Sequence, residues 1–168
     1  MPIKRLKEIS DEKNIRYVIV SHATAYAAAA IAAMTHTPGR EIAKSVMVLV
    51  DAALAMVVVP GSKHVDLRAL KTVLGAKEIS LAHEHQFAHV FPDCEVGAMP
   101  PFGNLYDVPV YVDQSLSEDS EIAFNAGSHR ELLRMAYSDY ENLVRPRVVN
   151  VVAANIAMRL AQRNAVNF

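Results

Sequence analysis

At 168 residues, 52% hydrophobic and 21% charged, the chain has enough length for one domain with a real core and too little for two. Its net charge of -1 gives no global attraction to polyanions, so any nucleic-acid contact has to use a local basic patch. The single Cys94 excludes an internal disulfide framework, the Ala-rich span 23–33 is too short for a membrane helix, and no charged-then-apolar leader opens the chain, so a cytoplasmic protein without membrane association is expected.

From Pro2 to about Lys13, apolar and charged residues interleave as in a short amphipathic helix. Arg16-Tyr17-Val18-Ile19-Val20 has strand composition and delivers His22 onto a loop. Thr24 is placed to cap a helix running to about Met34, which Pro38-Gly39 end. Lys44 follows that break and opens the most apolar run of the chain. Residues 46–50 lack polar alternation and are rich in β-branched side chains, which fits a strand buried on both faces. Asp51-Ala52-Ala53 permits a turn, and residues 54–59 repeat the composition before Pro60-Gly61, so the two runs are expected to pair antiparallel in mid-sheet. Lys44 then reaches the rim of the core, either with its stem packed and its ammonium in water or as a fixed cation facing a pocket.

Asp66 is a natural N-cap for a helix through Leu67, Leu70, Val73 and Leu74, with Gly75 as its stop. A short strand at 77–81 and a short helix at 83–91 follow. Gly97-Ala98-Met99-Pro100-Pro101-Phe102-Gly103-Asn104 is the clearest loop, stiffened by its prolines and freed at its glycines. Strands are expected at 108–112 and 121–124. Gly127-Ser128 then leads into a helix through Leu132, Leu133, Ala136, Tyr140 and Val144, with Ser128 and Glu131 forming a capping box. Past Pro146, Val149, Val152, Ile156 and Leu160 recur at helical spacing beside Arg159 and Arg163, predicting a terminal helix.

Three clusters invite chemistry. His85 and His89 would share a helical face, but Gln86 stands where a catalytic zinc motif needs Glu and no further ligand is near, so no metal and no cofactor is expected. Cys94 lies between Asp93 and Glu95, whose charges disfavour the thiolate. His129, read as lying in the first turn of a capped helix, would be a neutral donor or acceptor because the helix dipole discourages the imidazolium.

Taken together, Ala43-Lys44-Ser45-Val46, the loop from Gly97 to Pro101 with Phe102-Gly103, and Ala126-Gly127-Ser128-His129 give the chain a resemblance to the YbaK and prolyl-tRNA-synthetase-associated domain family of aminoacyl-tRNA deacylases. The likeness spans about residues 6–144, and the Val57-Val58-Val59-Pro60 and Val65-Asp66-Leu67 stretches share it. It implies an α+β fold, a mixed and strongly curved, barrel-like sheet surrounded by helices in a single domain of residues 1–147, with residues 148–168 as a helical extension. Ser45 departs from the Asn or Thr of many relatives.

The implied activity is hydrolysis of the ester joining a wrongly attached small amino acid to the 3′-terminal adenosine of tRNA. Lys44 would be the catalytic cation, and His22, Gly97, Pro101, Gly103, Gly127, Ser128 and His129 would line the substrate. Aminoacyl-tRNA is the implied partner, through its 3′ end, and a synthetase is a second partner the resemblance allows. Such a sieve has a physical reason, because a synthetase pocket separates amino acids differing by one methylene by only about 1–3 kcal/mol. Two rival readings are a non-catalytic tRNA- or protein-binding module and a hydrolase of small esters unrelated to tRNA.

Overall fold

Residues 4–153 are described by the structure, a computed structural model. Along them run α1 (Lys4–Glu12), β1 (Tyr17–Ser21), α2 (Ala28–Thr35), β2 (Ile42–Val50), β3 (Ala53–Pro60), α3 (Leu67–Leu74), β4 (Ile79–Leu81) and α4 (Glu84–Phe87). There follow β5 (Val110–Asp113), α5 (Gln114–Ser117), β6 (Glu121–Asn125), β7 (Glu131–Ala136), α6 (Tyr137–Val144) and β8 (Arg147–Val149). The strands form one mixed sheet in the order β1-β7-β6-β2-β3-β5-β8, with β4 paired to β2 off that path. The α+β class expected from the sequence is observed, and the path of the sheet is open.

The apolar hairpin β2–β3 lies at its centre, antiparallel and in register from Ala43↔Pro60 to Val50↔Ala53. β3 shows why no polar alternation was needed. Its Met56 and Val58 enter a large cluster with Phe102, Phe124 and Tyr140, while Ala55, Val57 and Val59 enter a second with Leu70 of α3. Both faces of the strand are therefore dry. Asp51 and Ala52 take φ of 47° and 68°, as a two-residue hairpin turn requires. The Asp51 carboxylate then accepts the backbone N–H groups of Lys77 and Glu78, which leads the chain into β4. α3 is built as its sequence predicts: Asp66 accepts from the amides of Arg68 and Ala69, and Gly75 closes the helix at φ 62°.

Three expectations are corrected. Residues 131–136 are not the first turns of a helix but strand β7, which pairs antiparallel with both β6 and β1. Leu133 and Met135 face the large cluster while Leu132 faces a third one with Ile42 and Ala123, so an apolar run readable as helical serves a strand covered on both sides. The helix is the shorter α6, and the Ser128–Glu131 capping box does not form. Second, α2 begins at Ala28 without a side-chain cap, and Thr24 instead accepts from the Arg130 guanidinium at 2.9 Å. Third, the stretch after Pro146 is not helical at its start. β8 pairs parallel with β5, Val149 and Val151 are buried against α3, and Asp113 accepts the Val151 N–H at 2.9 Å. The remainder of the expected terminal helix, with Ile156 and Leu160, lies outside the described residues.

Candidate active site

β2 shares one flank between two partners. Ile42 and Ala43 pair parallel with Ala123 and Phe124 of β6, while residues 48–50 pair antiparallel with β4. Between these ladders, residues 44–46 have no strand on that side among the described residues, and the sheet splits there. Lys44 is the first residue of the split on β2. One step past Phe124 on β6 stands Asn125, and strand alternation gives Lys44 and Asn125 the face shared by Ile42 and Ala123. Lys44 is half-buried, and burial lowers its ammonium pKa from the ordinary lysine value with no carboxylate to oppose the shift. Ser45 Oγ and Asn125 Oδ1 are enclosed without hydrogen-bond partners among the described residues. Lys44 and Asn125 thus put a cation and an unsatisfied amide oxygen on one face at the gap, with Ser45 on the opposite face, and such polar groups are costly to bury unless something completes them.

Beyond the split, residues 126–130 form the turn from β6 to β7, and Gly127 supplies its φ of 102°. Two other segments close onto this turn. From the proline loop, Glu95 N–H donates to the Gly127 carbonyl at 2.8 Å, Gly127 N–H donates to the Ala98 carbonyl at 3.0 Å, and the Glu95 carboxylate accepts the His129 N–H at 2.9 Å. From the connection between β1 and α2, His22 N–H donates to the Arg130 carbonyl at 2.9 Å and Ala25 N–H to the His129 carbonyl at 3.1 Å. His129 sits where all three meet. Its imidazole Nε2 lies 2.9 Å from the Val96 carbonyl, which can only accept, so Nε2 carries the proton. Nδ1 of the neutral ring is then a bare acceptor, and it is buried with no partner among the described residues. His22 shows the same logic reversed: Nδ1–H donates to the Ala23 carbonyl at 2.7 Å, leaving Nε2 as an unpartnered acceptor.

His22, Gly97, Gly127, Ser128 and His129 are thus brought together, while Lys44 stands at the β2–β6 split, from which β6 runs on through Asn125 into the turn that carries His129. Gly97 has φ 84°, and a Cβ there would lie 3.5 Å from His129 Cε1. The position needs glycine for its backbone angle rather than for space. Ser128 Oγ accepts weakly from the Arg130 N–H at 3.4 Å. Pro101 is buried, and the following Phe102 packs against Phe124 and Tyr140. Gly103 lies against Val108 and Val110, inside the core. The dipole argument for His129 lapses with the helix; what the Val96 carbonyl fixes is which ring nitrogen donates. For Cys94, burial is the first cause of its raised pKa and Asp93 adds to it, while the Glu95 carboxylate is turned to His129. Sequence reasoning missed Glu95 as a clamp and Tyr26, whose ring centroid is 4.5 Å from that of His129. Tyr26 carried no signal beyond interrupting an Ala-rich span.

A proline–tRNA ligase of Bacillus mycoides (strain KBAB4) is 29% identical to the chain over 87 residues, 52% of this chain and 15% of the ligase. The chain thus matches only a small part of that curated relative. A proposed trans-editing enzyme for prolyl-tRNA synthetase shares the fold with a TM-score of 0.77 at 19% identity, over 90% of this chain and 96% of that one. A hypothetical protein gives 0.79 at 20% identity, over 89% and 100%. No helix among the described residues is long and apolar enough to cross a membrane. Residues 22–143, which run from the first of these histidines through the sheet split and the His129 turn into α6, match the aminoacyl-tRNA editing domain, and the chain belongs to that family.

Proposed function

We propose that the protein hydrolyses, in trans, the ester of a small amino acid misattached to the 3′-terminal adenosine of tRNA, in the cytoplasm and with a synthetase as a further partner. The observation that carries this reading is that β6, which pairs with β2 beside the half-buried Lys44, runs on into the turn that carries His129, whose Nδ1 is buried with no partner among the described residues. An aminoacyl ester needs little more. Water adds to the acyl carbon, the carbonyl oxygen becomes an oxyanion, and collapse breaks the bond to the ribose oxygen, which leaves as a hydroxyl carrying a proton released by the water. The Lys44 ammonium holds the oxyanion or the terminal phosphate, an interaction that strengthens as charge develops. His129 Nδ1 accepts a hydrogen bond from the attacking water or from the ribose 2′-hydroxyl and so orients it. The Gly97 loop, tied at Glu95 and Ala98 to the Gly127 turn, walls the acyl end.

A panel of aminoacyl-tRNAs tests this reading. Purified protein should release alanine, serine or another small residue faster than large ones, with the tRNA 3′ end required. Absence of turnover on every aminoacyl-tRNA, with retained tRNA binding, would establish the binding-module reading. Equal turnover of small esters lacking tRNA would establish the general hydrolase.

A further inference from the structure

We infer that Tyr26 is the stacking platform for the terminal adenine of the tRNA, holding the nucleoside so that the ester falls between Lys44 and His129; the inference rests on the editing reading above. Tyr26 leaves 77% of its surface in water, so the ring contributes little to the core, whereas His129 beneath it is only 8% exposed. The two rings are tilted by 49° at a centroid distance of 4.5 Å, which covers one side of the tyrosine and leaves the rest open. Its backbone is fixed. His22 and Ala25 donate to the carbonyls of Arg130 and His129, and Thr24 receives the Arg130 guanidinium, so the ring is presented on a pinned segment and little ordering remains for a ligand to impose.

An open aromatic face suits a flat base better than a small aliphatic acyl group, because any base offers a π-face to stack while a small acyl group needs enclosing walls. The acyl end already has those walls in the Gly97 loop. Arg130, exposed and tethered two residues before Tyr26, adds a cation for the adjoining phosphate. Tyr26 is thus a positioning residue, and a purely structural role would be limited to shielding His129.

The test uses the full chain and an uncharged acceptor-stem RNA hairpin whose 3′-terminal base is 2-aminopurine, so that binding is read without turnover. Wild type and Tyr26→Phe should quench the fluorophore alike. Tyr26→Ala should lose the quenching and bind roughly 5- to 100-fold more weakly, the range expected for one lost base-aromatic stack, at an unchanged melting temperature. Unaltered quenching and affinity in Tyr26→Ala would overturn the inference and leave the editing reading standing. So would unaltered hairpin binding together with a changed ranking of acyl groups, which would move the ring to the acyl wall. A wild-type protein that neither binds the hairpin nor hydrolyses any aminoacyl-tRNA would remove both.

Discussion

The β2–β3 hairpin and the corner around His129 are built on opposite principles. The hairpin is a continuous ladder whose side chains are buried on both faces, so its stability comes from apolar area, and Lys44 and Ser45 are the polar exceptions it carries. The corner has no ladder. Three connections are tied by single hydrogen bonds between backbone groups and one carboxylate, and two of its residues, Gly97 and Gly127, need positive φ. A rigid element can hold a charge at a gap in the sheet, while loops can pin one residue's backbone from two sides and set a single carbonyl against its imidazole. The difference implies that substitutions at the split should act on rate, and substitutions beneath it on stability.

Lys44→Met gives the largest expected effect. Methionine keeps the stem and removes a half-buried cation that no carboxylate compensates, so the fold should hold its melting temperature or gain slightly. Single-turnover deacylation of the best panel substrate should fall by about 10²- to 10³-fold, as for loss of one pre-organised electrostatic contact. A rate within a few-fold of wild type would break the comparison at its strongest point.

The two glycines of the proline loop sharpen it further. At Gly103 a Cβ would meet the Val108 carbonyl at 2.8 Å and Val110 Cγ2 at 2.9 Å, so Gly103→Ala must push backbone apart inside the core. A loss of about 1–3 kcal/mol in denaturant unfolding is expected, with the rate per folded molecule unchanged. At Gly97 nothing clashes, but alanine at φ 84° strains the turn that aims the Val96 carbonyl at His129. Gly97→Ala should therefore lower the rate per folded molecule as well as the melting temperature. The same two measurements on both variants decide which glycine belongs to the site.

How far the sequence revealed this division follows from the physics of each region. The hairpin was legible because residues 46–50 and 54–59 are apolar without alternation and end at turn residues, and α3 because Asp66 and Gly75 mark its ends. Residues 131–136 were misread because Leu132, Leu133 and Ala136 suit a helix face as well as a strand covered on both sides. Only the long-range pairing with β1 and β6 decides between them. Lys44, Gly97 and His129 could be picked out by resemblance, but their physical setting could not. The split in β2 depends on where β4 and β6 stop, and the clamp depends on Glu95 meeting His129, contacts that leave no local pattern. Nor does the sequence distinguish the two glycines of the proline loop: Gly97 lies beside the His129 ring, whereas Gly103, equally prominent in sequence, lies under Val108 and Val110.

Glu95→Gln probes the clamp with a smaller effect. Glutamine can still accept the His129 N–H through its carbonyl oxygen but gives up the charge-assisted bond. The rate should fall a few-fold while the melting temperature barely moves. Glu95→Ala, which removes the acceptor, should cost more on both counts. Equal behaviour of the two variants would mean that the carboxylate does not position His129.

The smallest effect lies at alkaline pH, where the two regions titrate in a definite order. Burial raises the Tyr137 phenol to about 12, with Glu141 adding to the shift, and burial raises Tyr140 well above its ordinary value of 10.0. Both folded-state pKa values exceed those of the unfolded chain. Their contribution to stability is therefore complete below pH 10 and is lost as pH climbs through the folded values, so the melting temperature should start to fall only above pH 10. Lys44 is shifted the other way, below 10.5, because burial disfavours its charge. If the ammonium is what the ester meets, deacylation corrected for spontaneous hydrolysis should decline at a lower pH than the fold does. Tyr137→Phe separates the two further. The phenol oxygen has no partner among the described residues, so its removal should be tolerated, should flatten the alkaline fall in melting temperature and should leave the alkaline fall in rate where it was. Coincident loss of rate and fold in both proteins would mean that the alkaline limb reports unfolding of the tyrosine-lined core and says nothing of Lys44.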